Sequence, residues 1–213
     1  GKRFKYYSPP VFMKTKFINF LERIEGKTKS SDTFHRETNN KNISMPGEVN
    51  TPKEWIKIHF KTYPRLDTIN LKFSSMDQKL KISTILRARR SVRNFSGEDI
   101  TLKELSHILY SACGLIDNNG SLDNSRRPYP SAGARYPLEV YPILLKSQSL
   151  RKGLYHYNVK QNSLELLLNK DLSRWLMKAC GKELWLKNAA AIFVITGIFD
   201  RTRVKYGDRG YRY

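Results

Sequence analysis

The spacing of hydrophobic residues along the chain predicts several amphipathic helices. Apolar side chains recur every three or four positions over Phe17–Ile24, and Gly26 fits the end of that short helix. The same spacing predicts helices at Leu80–Leu86 and at Leu172–Leu186, with an interruption at Gly181 in the second of these.

A fourth predicted helix is marked by its first residues as well as by its spacing. Thr101 and Glu104 form the Thr-x-x-Glu signature of a capping box, in which each side chain pairs with the other residue's backbone N–H. Apolar residues follow at helical spacing over Leu105–Ala112, and we expect the helix to end near Gly114.

Other segments have the pattern of β-strands. Leu138–Leu145 predicts one strand, while Tyr155–Val159 and Leu164–Leu168 predict a hairpin joined through Lys160–Ser163. Ala190–Phe199 is uncharged and rich in β-branched residues, so it predicts the most buried strand. A hairpin does not occur in a purely parallel sheet, so the predicted fold class is α+β, with a mixed central sheet flanked by helices.

Residues 1–79 lack this orderly pattern, and we interpret them as an N-terminal extension that is partly irregular. Lys27–Asn42 is rich in Ser, Thr, Asn and Lys and predicts a loop. Prolines at positions 46, 52 and 64 favour extended backbone in the stretch after that loop. Residues 80–213 are assigned to a folded domain.

The composition excludes wholesale disorder, because 39% of the 213 residues are hydrophobic. The longest apolar stretch, Ala189–Phe199, is far shorter than the roughly 20 residues that a membrane-spanning helix requires. Lys14 and Lys16 interrupt the apolar run that a secretion signal needs. Cys113 and Cys180 allow one disulfide at most, so we expect a reduced, cytoplasmic compartment.

The net charge of +20 demands an anionic partner, an acidic part of the protein that is missing from this chain, or a biased background composition. It also favours a nucleic-acid-binding module as one alternative. Against that alternative, the lysines are spread along the chain and the aromatic residues do not follow a nucleic-acid recognition pattern.

Three guanidiniums crowd together where the helix at Leu80–Leu86 gives way to a loop. Arg89, Arg90 and Arg93 repel one another unless an anion joins them, and arginine suits phosphate because it donates two hydrogen bonds in one plane. The Ser91 hydroxyl can add a neutral donor. A bare Arg-Arg-Ser run is more typical of a solvated basic surface, but Phe95 and Gly97, which follow it, favour a loop with a defined shape.

A turn of small residues lies between Pro130 and Pro137. Ser131, Ala132 and Gly133 would let the backbone lie close against a flat ligand, although the segment also fits an ordinary tight connection into the next strand. Glu139, at the start of that strand, is interpreted as the partner of a nearby arginine rather than as a catalytic acid.

Lys205 and Tyr206 lie shortly after the predicted buried strand, and functional residues often occupy such positions. In an electropositive pocket these side chains can act as base and acid. The alternative is a positively charged helix start on the surface. The four histidines are scattered without a Cys or carboxylate at ligand spacing, so we expect no metal site.

Four runs together resemble the SagB-type dehydrogenases of the nitroreductase superfamily, with a match from about Leu80 to the end of the chain. The runs are Arg89–Gly97, Pro130–Glu139, Gly153–Tyr157 and Lys205–Tyr213. The resemblance implies a nitroreductase-like α+β fold that forms a homodimer and binds FMN between the subunits. Residues 80–213 would form the N-terminal portion of that domain, incomplete at its C-terminus, because the family continues with a long helix and further elements.

The resemblance also implies a reaction and a set of site residues. Such proteins oxidise azoline rings to azoles in ribosomally made peptides, and a cyclodehydratase is the partner enzyme expected with them. Lys205 and Tyr206 would be the acid/base pair. The remaining residues would bind FMN, at its phosphate, ribityl chain and ring system: Arg89, Arg90, Ser91, Arg93, Ser131, Ala132 and Gly133.

Two other functions stay open. One is a generic NAD(P)H-dependent nitroreductase, against which the Lys-Tyr pair argues. The other is a non-catalytic subunit that docks a peptide or a partner enzyme, because a fold does not by itself guarantee an activity.

Overall fold

The structure is a computed structural model, and it describes residues 33–34, 36–38, 59–73, 81–116, 125–180 and 184–213. The chain divides into two compact units, residues 1–49 and residues 50–213. In the first unit, residues 33–34 and 36–37 are helical, although the sequence predicted a loop there. The helix predicted at Phe17–Ile24 lies outside the described residues.

The second unit contains four α-helices and several short 3₁₀ turns among its described residues. The helices are α1 (Ile82–Ala88), α2 (Leu102–Cys113), α3 (Ser173–Ala179) and α4 (Asp200–Tyr206). The helix predicted at Leu172–Leu186 is therefore split into α3 and a 3₁₀ turn at Leu184–Asn188. No helix in the described part of the chain is long and apolar enough to span a bilayer.

The capping box predicted at the start of α2 is confirmed. Glu104 N donates to Thr101 Oγ1 at 3.1 Å, and Thr101 N donates to Glu104 Oε2 at 2.9 Å. These bonds satisfy backbone N–H groups that have no partner within a helix. The helix ends at Gly114, whose N–H donates to Tyr110 O.

In the described part of the chain five strands form one sheet, and they are β1 (Thr68–Asn70), β2 (Leu138–Leu144), β3 (Gly153–Asn158), β4 (Ser163–Leu168) and β5 (Ala191–Gly197). Their order in the sheet is β1-β4-β3-β2-β5. Every pairing within it is antiparallel, and a parallel bridge joins Ile100 and Ser147 outside its strands. This confirms the α+β class, but the described strands form an antiparallel sheet rather than the mixed sheet that the sequence predicted, because the short connections β2–β3 and β3–β4 reverse the chain direction.

The two faces of the sheet differ in character. On one face α2 packs Leu105 and Leu109 into the larger hydrophobic core, together with Leu144, Tyr157 and Leu164 from the strands. On the other face a smaller cluster lies beneath α3, and its buried members are Ile143, Leu145 and Leu176. Because strand side chains alternate, the second face also carries a set of buried polar side chains.

The prediction that Ala190–Phe199 forms the most buried strand is wrong. In β5, Val194 is 36% exposed and Ile195 is 62% exposed. The physical reason is position: among the described strands, β5 pairs with β2 alone and lies at the edge of the sheet. Hydrophobicity predicted the strand correctly, but burial depends on which neighbours cover it.

Candidate active site

The small-residue turn has an unusual backbone. Gly133 has φ +57°, and Ala134 and Tyr136 also have positive φ, at +53° and +45°. Side chains rarely tolerate this region, so neighbouring contacts must hold the turn in place. One such contact is the hydrogen bond from Tyr136 N to Ser131 Oγ, at 2.8 Å.

Lys205 and Tyr206 converge on this turn. A Cβ atom placed on Gly133 would lie 2.7 Å from Tyr206 Oη and 3.2 Å from Lys205 Nζ. The structure therefore brings together two of the three groups of site residues that the sequence predicts. A side chain at position 133 would be strained by the positive φ and would displace the polar ends of Lys205 and Tyr206.

The Lys205–Tyr206 pair lies at the C-terminal end of α4. Lys205 Nζ lies 5.7 Å from the centre of the Tyr206 ring, and the ring of Tyr213 packs edge-on against the same tyrosine at 4.9 Å. Both side chains are half-buried. The Tyr206 hydroxyl and Lys205 Nζ are thus adjacent, partly shielded from water, and placed to exchange a proton with a ligand at the turn.

The arginine segment lies on an exposed surface. All four of its predicted site residues are exposed: Arg89, Arg90, Ser91 and Arg93. The guanidinium of Arg90 donates to the carbonyls of Arg87 and Arg89, at 2.9 Å each. Phe95 packs against Trp185, so the end of the segment is anchored. The contacts described for these residues do not connect them to the turn at Gly133.

Glu139 has the partner that the sequence predicted, an arginine. Its Oε1 lies 2.6 Å from Arg201 Nη2, and its Oε2 lies 2.9 Å from His156 Nε2. Burial opposes ionisation of this carboxyl, but the hydrogen bond with His156 and the charge of Arg201 outweigh it and lower the pKa of Glu139. Glu139 is therefore an ionised, buried anchor for α4.

His156 contacts a second carboxylate on the neighbouring strand. Its Nδ1 lies 2.8 Å from Glu165 Oε2, and the two residues are directly opposite each other in the β3–β4 register. Among the described residues no group of His, Cys, Asp and Glu side chains has an arrangement that could hold a metal ion. The imidazole is instead held between two carboxylates.

Arg135 is the most buried cation beside the site, with 1% of its surface exposed. Its Nε donates to the carbonyl of Arg201 at 3.2 Å, and it lies near enough to Tyr206 for the two to interact electrostatically. Burial lowers the pKa of the Arg135 guanidinium below its ordinary value.

Sequence reasoning missed His156, Glu165, Arg201 and Arg135 as members of this network. The alternation within the predicted hairpin was an available signal, because it places a histidine and a glutamate on one sheet face. The contacts of Arg201 with β2 had no such signal, since they depend on how α4 packs against the sheet.

The antiparallel α+β architecture is shared with solved structures. A nitroreductase structure from Anabaena variabilis superimposes with a TM-score of 0.65 at 24% sequence identity, covering 85% of this chain and 35% of that one. At this level of identity the likeness shows the fold alone. Residues 86–213 match the Nitroreductase family, and the chain belongs to that family of oxidoreductases, whose members are generally flavin-dependent.

Two relatives carry informative names. The nitroreductase MJ1384 of Methanocaldococcus jannaschii is 34% identical over 147 residues, which cover 69% of this chain and 71% of that protein. The microcin B17-processing protein McbC of Escherichia coli is 35% identical over 94 residues, 41% of this chain and 34% of McbC. The chain thus spans about a third of McbC and of the Anabaena variabilis structure.

Proposed function

We propose that this chain is an FMN-dependent oxidoreductase of the SagB type, which oxidises azoline rings to azoles in a ribosomally made peptide. The observation that carries the proposal is the convergence of Lys205 Nζ and Tyr206 Oη on Gly133. A base and an acid held side by side at a turn of small residues suit a reaction that removes a proton from a flat ring.

Azoline oxidation removes two electrons and two hydrogens from the ring. One ring C–H bond releases its hydrogen as a proton, and the Lys205–Tyr206 pair accepts it. FMN, when bound, would accept the hydride equivalent that leaves the ring. Half-burial of Lys205 and Tyr206 limits competition from water for the same proton.

The residues on this chain fit FMN. The absence of a side chain at Gly133 lets Lys205 Nζ and Tyr206 Oη lie against the backbone of the turn, so both polar groups would stand beside a flat ring system bound along it. Ser131 and Ala132 would line the ring from the same turn. Three exposed guanidiniums would bind the phosphate, those of Arg89, Arg90 and Arg93, with the Ser91 hydroxyl as a further donor.

The similarity to McbC, a protein named for processing microcin B17, supports a peptide substrate. A peptide-modifying enzyme of this type would act with a cyclodehydratase, which forms the azoline ring that this chain oxidises. We also propose that the protein works as a homodimer, as the resemblance to SagB-type dehydrogenases implies.

Two measurements test this function. The purified full protein should show absorption bands at roughly 370 and 450 nm, as oxidised flavins generally do. It should then convert a synthetic peptide with one thiazoline ring to the thiazole, detected as a mass decrease of about two hydrogens and as new ultraviolet absorption. Lys205→Ala and Tyr206→Phe should each abolish most of the conversion while the flavin bands remain.

A control replaces Lys160, an exposed lysine of the β3–β4 turn, with alanine, and this variant should retain full activity. A flavin-loaded protein that leaves the thiazoline intact would refute azoline oxidation. A Lys205→Ala variant with normal turnover would refute the role of the pair.

The likeness to the M. jannaschii nitroreductase favours one alternative, an NAD(P)H-dependent nitroreductase. Steady NADH consumption that depends on a nitroaromatic compound and is unaffected by Tyr206→Phe would support this alternative. Azoline oxidation lost in the same variant would support the proposal instead.

A further inference from the structure

A continuous chain of buried polar side chains crosses the sheet to helix α4. It runs from Glu165 to His156 with a contact of 2.8 Å, from His156 to Glu139 with 2.9 Å, and from Glu139 to Arg201 with 2.6 Å. None of the four side chains is more than 7% exposed. We call these four residues the buried relay.

We propose that His156 and Arg201 are positioning residues, which act through the buried relay to orient α4 and so hold Lys205 and Tyr206 against Gly133. The inference rests on the proposed function, in which Lys205 and Tyr206 take up the proton. It assigns the relay no contact with substrate or cofactor.

Arg201 contacts both the segment of the small-residue turn and helix α4, which carries Lys205 and Tyr206. Its Nη1 donates to the carbonyl of Tyr136 at 2.9 Å, directly after the small-residue turn. Its own carbonyl accepts from Arg135 Nε at 3.2 Å. Lys205 lies one helical turn further along α4, on the same side of the helix as Arg201. If the contacts of Arg201 changed and α4 rotated about its axis, Lys205 would therefore move relative to Gly133.

The imidazole of His156 is held by two carboxylates and two tyrosine rings. Both ring nitrogens face carboxylate oxygens, and the other oxygen of Glu165 accepts from Asn158 Nδ2 at 2.7 Å and from Tyr63 N at 3.0 Å. The rings of Tyr63 and Tyr141 pack against the imidazole, each with centroids 5.1 Å away. Glu139 is thus held in one orientation before it meets Arg201.

Stability alone does not account for such a relay. Burying charged groups loses most of the favourable energy of their hydration, and apolar side chains of similar volume commonly give equal or greater stability. A guanidinium that donates to the Tyr136 carbonyl through Nη1 and forms an ion pair with Glu139 through Nη2, by contrast, constrains direction as well as distance. The relay supplies orientation at the point where α4 starts, four residues before Lys205.

The test compares Arg201→Lys with Tyr157→Phe in the full protein. Arg201→Lys keeps the charge beside Glu139 but loses the fork that also reaches Tyr136. Tyr157→Phe removes a partly buried hydrogen bond to Asn162 on the opposite sheet face, so it measures the effect of destabilisation at a place away from the buried relay. Glu139→Gln is a third variant, which keeps the size of the side chain and removes its charge.

The first readout needs no substrate. Limiting acetic anhydride acetylates Lys205 and the reference Lys160, and mass spectrometry of tryptic peptides gives the ratio of the two modified fractions. We expect Arg201→Lys and Glu139→Gln to change this ratio at least about threefold, because Lys205 moves relative to its neighbours. Tyr157→Phe should leave it unchanged although its Tm falls.

The second readout is turnover of the thiazoline peptide by the flavin-loaded protein. Arg201→Lys should lower kcat by about 10- to 100-fold with KM within about twofold, the pattern of a misplaced catalytic group. An acetylation ratio and a kcat in Arg201→Lys equal to those of Tyr157→Phe would overturn the positioning role. Loss of the proposed function is seen separately, as wild-type protein that does not oxidise the ring or a Lys205→Ala variant that does.

Discussion

Glu139 on β2 and Arg201 in the first turn of α4 form an ion pair, with 2.6 Å between Oε1 and Nη2, and both side chains are almost completely buried. Arg201 also donates to the carbonyl of Tyr136, and Glu139 also contacts His156. Each charge therefore has more than one partner. Removing either charge would leave the other buried with its remaining hydrogen-bond partner but without its ion-pair partner, which is costly.

Glu139→Gln should lower the free energy of unfolding by about 3–5 kcal/mol, the usual effect of breaking a buried ion pair from one side. Urea unfolding followed by circular dichroism measures it. Glu98→Gln is the control, because Glu98 is exposed, and its effect should stay within about 0.5 kcal/mol. Equal effects of the two substitutions would show that the Glu139–Arg201 pair does not stabilise the fold.

The contribution of Glu139 should depend on pH with a definite sign. Its pKa is lowered in the folded protein, against burial, by His156 and Arg201. The stabilisation is therefore fully present above about pH 4.5, the ordinary value for this carboxyl, and is lost as the pH falls through the lower folded-state pKa. The difference in unfolding free energy between wild type and Glu139→Gln should shrink over that acidic range, since all other carboxyls are common to both. A difference independent of pH would contradict the assignment.

The sequence predicts secondary structure correctly where an element depends on residues close together in the chain. The capping box of Thr101 and Glu104 depends on four consecutive residues only, and it forms as predicted. The hairpin strands likewise follow from local alternation and lie within two residues of their predicted bounds. The burial of β5 could not be predicted, because the exposed sides of Val194 and Ile195 depend on neighbouring elements rather than on their own hydrophobicity.

Some residues of the candidate site could likewise be predicted from local sequence, and others could not. Gly133, Lys205 and Tyr206 were identified from their sequence runs, and the structure places them in contact. The FMN role of Arg89 and its neighbours stays a prediction, since an exposed basic segment fits both of the interpretations that the sequence allowed. The buried relay was missed because its contacts join residues far apart in the chain.

Gly133→Ala should remove activity by two effects that a control can separate. The new Cβ would lie 2.7 Å from Tyr206 Oη, and φ of +57° would cost about 1–2 kcal/mol for alanine. Gly97→Ala is the control, because Gly97 has φ +83° but its Cβ would approach its nearest neighbour only to an ordinary 3.4 Å. We expect both variants to lose stability in urea unfolding, and Gly133→Ala alone to lose thiazoline oxidation, by about 100-fold. Equal activity of both would mean that the space at Gly133 has no catalytic purpose.

The two cysteines should react at very different rates in the native protein. Cys113 is 5% exposed at the end of α2, and burial raises the pKa of its thiol to about 11, so little reactive thiolate forms at neutral pH. Cys180 is exposed after α3. Iodoacetamide at pH 8 should label Cys180 within minutes and Cys113 only after addition of guanidinium chloride, and peptide mass spectrometry distinguishes the two sites. Cys180→Ser serves as the control, and rapid native labelling of that variant would show that Cys113 is not enclosed in the core beneath the sheet.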